Sequence, residues 1–169
     1  MAQLVAGTLG LRYLGGGEAL KMIARKRGHS SSGENWWDTE EGMGFLQERA
    51  RNPSLDREVD AELLRAVDEG TVVITSYTLP WLTSKGLKFW LSASVENRAK
   101  RMAGRDGTSY EEASRVVQER DAQNLRLYRE LYGFEFGVDL SVFDFVVSTD
   151  RLSKEQVADI VLCVTRKVE

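Results

Sequence analysis

The side chains in this sequence best suited to chemistry are arginines set at helical spacing. Arg98, Arg101 and Arg105 recur at i, i+3 and i+7, so on a helix they share one face. Arg120 and Asn124 share another, with Arg126 close by. Over a helix spanning 109–131, Ala113, Val116, Val117, Leu127 and Leu131 form an apolar stripe, and Arg120 and Asn124 fall on it. Burying an unpaired guanidinium is expensive, so this face is expected to close over something polar and anionic. Surface ion pairing competes for the same residue type, because Glu111–Arg115, Arg115–Glu119 and Arg126–Glu130 are each four apart. Arg115 and Arg129 are assigned to that role, and Arg98, Arg101, Arg120 and Arg126 are kept as functional candidates.

The remaining inventory excludes more than it offers. There is no HExxH, no CxxC and no GxSxG. The single histidine, His29, reads as a surface loop residue rather than an oriented base. The single cysteine, Cys163, excludes an internal disulfide and a cysteine metal cluster, and on its apolar helical stripe it is expected to be a buried small hydrophobe. Arginine clamps without a protein nucleophile suit phosphoryl transfer, where catalysis is mostly positioning and charge stabilisation. The formal net charge of −3 argues against a general nucleic-acid binder. No apolar run approaches the roughly 20 residues of a spanning helix, and no signal-peptide pattern opens the chain. A cytoplasmic protein, with a monomer as the favoured state, is the expectation.

The elements that position these residues alternate between helix and strand. A helix over 2–9 ends at Gly10, Leu11–Leu14 is a short strand, and a helix runs from Glu18 to Arg27. Between them stand Gly15, Gly16 and Gly17, either a flexible turn or a place where backbone N–H groups meet an anion. Within the loop 28–38, Trp36 and Trp37 suit either core anchoring or stacking on a ligand. Thr39 caps a helix to about Ala50, Asn52-Pro53 breaks it, and Ser54 caps the next, whose apolar side is Leu55, Val59, Leu63, Leu64 and Val67. Thr71–Thr75 reads as a strand buried on both faces. Leu87–Ser92 and Phe143–Val147 are further strands, and Ser153 with Gln156 makes a capping box for the last helix. This alternation predicts one α/β layered domain over 1–169 with a largely parallel sheet. Its ligand crevice should lie at the strands' C-terminal ends, at Gly15–Gly17, Thr75–Tyr77 and Ser92–Ser94.

Five segments in order, LGLRYLGGGEALKMIARKRG, NPSLDREVDAELLRAVDEGTVVI, LKFWLSASVENRAKRMAGRDGTSYEEA, ERD…RLYRELYGFEF and DLSVFDFVVSTDRLSKEQV, resemble the archaeal cytidylate kinase-like family. Members are P-loop nucleoside monophosphate kinases. The resemblance implies a P-loop NTPase-type three-layer α/β fold with a mostly parallel sheet. It also implies ATP and Mg²⁺ as cofactors, and transfer to CMP or dCMP. In the family a loop G-x-x-x-x-G-K-[ST] precedes the first helix, whereas this sequence starts at Met1 within that helix. The expectation is therefore a shortened version whose first, central strand and Walker A loop are missing, so that activity is in question and a non-catalytic nucleotide-binding or regulatory protein is the alternative.

By the same resemblance, Arg120 matches the lid arginine that reaches the transferring phosphate, with Arg126 as a second. Arg98 and Arg101 match positions near the ATP base and phosphates. Gly15, Gly17 and Lys21 match the acceptor-binding turn, and Arg57 a segment of the monophosphate lobe, about 15–70, to which Trp37 also belongs. The lid spans about 105–133. Departures cluster on the acceptor side. The family usually has serine at Gly15 and arginine at Lys21, both helping to hold the monophosphate, often reads Glu-Gly-Arg where this chain has Thr75-Ser76-Tyr77, and often has its substrate-binding aspartate at Asn124, so Ser76, Tyr77 and Asn124 are expected to bind the monophosphate as well. No metal ligand from the protein is expected.

Overall fold

The computed structural model describes residues 1–31, 36, 39–52 and 54–168. They form two compact units, Ala2–Lys85 and Gly86–Glu169, the latter grouped with Met1. Both are built from helices around one pair of parallel strands.

The first unit contains α1 (Ala2–Leu9), β1 (Arg12–Gly15), α2 (Gly16–Lys26), α3 (Glu40–Arg51), α4 (Ser54–Glu69), β2 (Val72–Thr75) and the short α5 (Leu79–Leu82). β1 and β2 pair in parallel, with Leu14 opposite Ile74 and Gly15 opposite Thr75. Leu14 and Ile74 join Ala19 of α2, Leu63 and Ala66 of α4, and Leu79 in one core cluster. A second cluster gathers Leu20, Ile23 and Ala24 of α2 with Trp36, Phe45 and Leu55. The apolar side predicted for α4 supplies both, with Leu55 and Leu63 almost fully buried. α1 packs against both strands.

The second unit contains β3 (Phe89–Ser92), α6 (Val95–Asp106), α7 (Tyr110–Tyr132), β4 (Phe145–Ser148) and α8 (Lys154–Val168). β3 and β4 are parallel, Ser92 opposite Ser148. Ser94 and Ser109 cap α6 and α7 through their hydroxyls, and left-handed Gly107 and Gly133 end them. The capping box of α8 forms as expected: Ser153 N–H donates to Gln156 Oε1 at 2.8 Å, and Gln156 N–H to Ser153 Oγ at 3.2 Å. Aromatic rings gather around Trp90 of β3, which meets Phe136 and Phe143 edge-on.

Four expectations need correction. β2 is half-buried rather than buried on both faces, because its only partner among the described residues is β1. Cys163 is exposed, since the buried stripe of α8 is Val157, Ala158, Val161 and Leu162. The first-turn amide of Ser54 is satisfied by Asn52 Oδ1 at 3.1 Å, so Asn52 takes the capping role assigned to Ser54. His29 is half-buried against Trp36 and Phe45.

Candidate functional site

The first unit offers a site at the shared C-terminal end of β1 and β2. Gly15 is both the last residue of β1 and the cap of α2, with extended backbone and no capping side chain. The three glycines therefore form no separate loop. Gly16 and Gly17 are the first turn of α2, where backbone N–H groups have no acceptor within the helix. Nothing lies within 4 Å of where a side chain at either would begin, so the approach is open. Gly15 is different. A Cβ there would stand 2.7 Å from the Tyr13 hydroxyl and 3.1 Å from Thr75 Oγ1. Those two hydroxyls lie 2.9 Å apart. Farther along α2, Lys21 is 6% exposed and its ammonium lies 3.5 Å from the Glu18 carboxylate.

Past β2 the chain is clamped from beneath. Ser76 Oγ accepts from the N–H groups of Thr78 and Leu79, both at 3.1 Å. The Thr78 hydroxyl donates to Asp60 of α4, and both residues are buried. Ser76 is thus committed to holding the turn, while Tyr77 at its crest is 60% exposed. Arg57 is exposed on α4, beside buried Asp56, whose carboxylate accepts from Arg49 at 2.6 Å. Trp37 lies outside the described residues. Trp36 is buried between Phe45 and His29, which settles core anchoring over stacking for that ring.

The turn before α3 is gathered by Glu41. Its carboxylate accepts from Ser30 Oγ at 2.7 Å, Ser30 N at 3.1 Å and Trp36 Nε1 at 3.3 Å, and lies 3.1 Å from His29 Nδ1. These donors, the Ser30 hydroxyl foremost, hold its pKa down at about 2.

In the second unit the strand ends are bound by side chains. Thr149, just past β4, donates through both N–H and Oγ1 to Ser92 O, at 2.8 and 3.0 Å. Arg101 of α6 donates to Thr149 Oγ1 at 3.0 Å and to its carbonyl at 2.5 Å. Asp150 accepts from Ser94 N at 2.9 Å, and that amide, with Asn97 adding, keeps its carboxyl below the ordinary range. Arg98 grips Asp121 of α7 through both guanidinium nitrogens, at 2.7 and 2.6 Å, a bidentate fork joining the two helices.

This pairing revises the packed face of α7. Its inward residues are Ala113, Val117, Asp121, Asn124 and Tyr128, so the buried-side charge is Asp121, answered by Arg98. Asn124 lies half-buried on that face as predicted, but Arg120 is exposed. Spacing of four from Val117 carries this signal, and Arg120 is one position off it. Arg120 and Arg126, both exposed, make no hydrogen bond or ion pair among the described residues. Arg105 pairs with Asp106, whose carboxyl is lowered first by Arg105 and further by Arg120. Arg115 pairs with Glu119 at 3.0 Å and Arg129 with Glu135, so the surface role foreseen for both holds.

Within each unit, then, the predicted residues fall into two chemical sets. In the first, Gly15, Gly17, Ser76 and Tyr77 lie at or beside the ends of β1 and β2, and Lys21 lies nearly buried farther along α2. Arg98 and Arg101 in the second are anchored, while Arg120 and Arg126 are exposed, Arg120 acting at a distance on Asp106. No helix among the described residues is long and apolar enough to cross a membrane, and none of their His, Cys, Asp and Glu form a group of three able to hold a metal ion.

Residues 1–151 match the sequence model of the cytidylate kinase-like family. The chain is 35% identical over 162 residues to a cytidylate kinase of Pyrococcus horikoshii, covering 95% of this chain and 78% of that protein. It is 34% identical to a cytidylate kinase of Methanopyrus kandleri, covering 92% and 80%. Its fold resembles the crystal structure of an uncharacterized protein from Eubacterium ventriosum, with a TM-score of 0.66 at 14% identity over 98% of this chain and 91% of the other.

Proposed function

The chain belongs to the cytidylate kinase-like family, and from that premise we propose that it works as a nucleoside monophosphate kinase on a P-loop-type scaffold. It moves the terminal phosphoryl group of ATP onto CMP or dCMP: a bond forms from the acceptor's phosphate oxygen as the bond to the bridging oxygen of ATP breaks. The observation that carries this reading is the strand-end site of the first unit. There the open first turn of α2 offers N–H donors to an acceptor phosphate, with the nearly buried Lys21 farther along the same helix.

Each set of residues has a task. Gly17 lets the backbone approach the acceptor, Gly15 makes room for the Tyr13 hydroxyl beside it, Lys21 offsets the acceptor's phosphate charge, and Arg57 and Trp37 belong to the same lobe. Ser76 holds the turn that presents Tyr77 to the acceptor. Arg120 and Arg126 lie on a lid, about 105–133, and stabilise charge on the phosphoryl group in flight. Exposed guanidinium groups that make no hydrogen bond among the described residues fit that task, because none has to be broken when they bind. Asn124 supports the lid's packed face. Arg98 and Arg101 hold the framework beside ATP, the first through Asp121 and the second through Thr149. An Mg²⁺ held by the nucleotide phosphates would shield their charge.

A second reading has its own observation. The chain departs from the residues usual in the family at Gly15, Tyr77 and Asn124, which favours nucleotide binding without turnover. A coupled assay of ADP formation with CMP, dCMP, AMP and UMP, beside thermal shifts with the same nucleotides, separates the two. Turnover greatest with CMP or dCMP supports the kinase. Stabilisation by nucleotides without turnover supports the binding protein, and neither response would overturn both.

A further inference from the structure

We infer that Thr78 is a positioning residue for the acceptor: through a one-way chain of hydrogen bonds, Ser76 to Thr78 to Asp60, it fixes the turn that holds Tyr77 towards the bound monophosphate. The inference rests on the first unit holding the acceptor, as proposed above.

Three observations carry it. The first is the direction of the chain. The Thr78 hydroxyl has one proton, and it goes to the Asp60 carboxylate, which can only accept. Ser76 Oγ lies 3.2 Å from Thr78 Oγ1, and with that proton already placed the bond between them runs from Ser76. The two lone pairs of Ser76 Oγ take the N–H groups of Thr78 and Leu79, both at 3.1 Å. Every donor and acceptor of the Ser76 hydroxyl is thus used within the turn, so Ser76 serves the site by geometry and not by contact.

The second is a diverted cap. Thr78 stands at the N-terminal cap position of α5, where a threonine hydroxyl ordinarily accepts from an amide of its own helix. Here it makes no such bond and turns to α4 instead, while Ser76 receives the Leu79 amide. A cap on α5 would satisfy that helix alone. The bond to Asp60 ties the turn to the body of the unit.

The third is the contrast in burial along the turn. Thr78 and Asp60 are 3% and 5% exposed, whereas Tyr77, between Ser76 and Thr78, is 60% exposed. The order of the turn is therefore not used to bury the tyrosine. The turn follows directly on Thr75, opposite Gly15, at the C-terminal end of the parallel pair, where ligands of such sheets bind. Buried and fully bonded groups hold one geometry, and the geometry held here is that of an aromatic side chain kept at the strand ends.

A double-mutant cycle read by calorimetric titration of the 169-residue chain with CMP tests this. Tyr77→Ala should weaken CMP binding by about fivefold or more. Thr78→Val, which keeps the shape and removes the proton donated to Asp60, should weaken it by about fivefold, the size of one hydrogen bond. Thr78→Ser keeps that proton and should bind like the parent. In the Tyr77→Ala background Thr78→Val should have no further effect, because the residue it positions is gone, whereas a purely structural role would lower affinity equally with and without Tyr77. Ser76→Ala leaves the buried carboxylate its donor, and should show the same loss and the same dependence on Tyr77. Unchanged CMP affinity in Tyr77→Ala, unchanged affinity in Thr78→Val and Ser76→Ala, a loss in Thr78→Ser equal to that in Thr78→Val, or an undiminished loss in the Tyr77→Ala background would each overturn the inference and leave the acceptor site standing. Failure of CMP to bind the parent chain would overturn the acceptor site, and the inference with it.

Discussion

The two units handle polar groups in opposite ways. In Ala2–Lys85, Lys21, Ser31, Asp56, Asp60 and Thr78 are buried, and the strand-end turn is tied to α4 through Thr78 and Asp60. In Gly86–Glu169, Thr149 is the buried polar residue among those described, and the bidentate pair of Arg98 and Asp121 keeps 37% and 44% of its side-chain surface exposed. Buried polar groups hold one geometry because their alternatives are unsatisfied. Exposed charges trade protein partners for water at little cost. The polar framework of the first unit is therefore held in one geometry, while the charges of the second stay open to solvent.

The contrast can be broken by removing one partner on each side. Thr78→Val leaves the buried Asp60 carboxylate without its hydroxyl donor and should lower stability by about 1–3 kcal/mol, read from the midpoint of urea unfolding. Asp121→Ala removes a fork that is well aligned but partly solvated, and should lower it by about 1 kcal/mol or less. Equal losses would erase the difference between the units. A smaller effect sharpens it at the surface of the first unit. The donors around Glu41 depress its pKa from 4.5 to about 2, so Glu41 holds fewer protons folded than unfolded. Its stabilisation is complete above the unfolded value and drains as pH falls from there towards about 2. Acid unfolding of Glu41→Gln, followed by tryptophan fluorescence, should lack that part of the parent's pH dependence.

Much of the framework was legible because local signals agreed with tertiary ones. The Ser153–Gln156 box, the Thr39 cap, the stripe of α4 and the positions of all four strands follow from spacing and capping chemistry alone. What escaped was long-range. Asp121 meets Arg98 across 23 residues, and Tyr13 meets Thr75 across 62, distances over which no periodicity speaks. Asp121 had a signal, since it continues the four-residue spacing of Ala113 and Val117, but its charge kept it off a stripe defined by apolar residues. Gly15 was legible as unusual and not as crowded, because only the fold brings the phenol against it. Cys163 misled for the same reason: helical spacing allowed a stripe, and packing chose the adjacent one.

The roles proposed for Lys21 and Arg120 are tested most directly by steady-state kinetics of Lys21→Met and Arg120→Ala beside the parent chain, with CMP varied at saturating ATP. Lys21→Met should raise the KM for CMP and leave kcat nearly unchanged. Arg120→Ala should lower kcat by about 10²-fold or more, the usual loss for one preorganised donor to developing charge, with KM little altered. An unchanged kcat in Arg120→Ala, or a shift of the same parameter in both variants, would contradict the account.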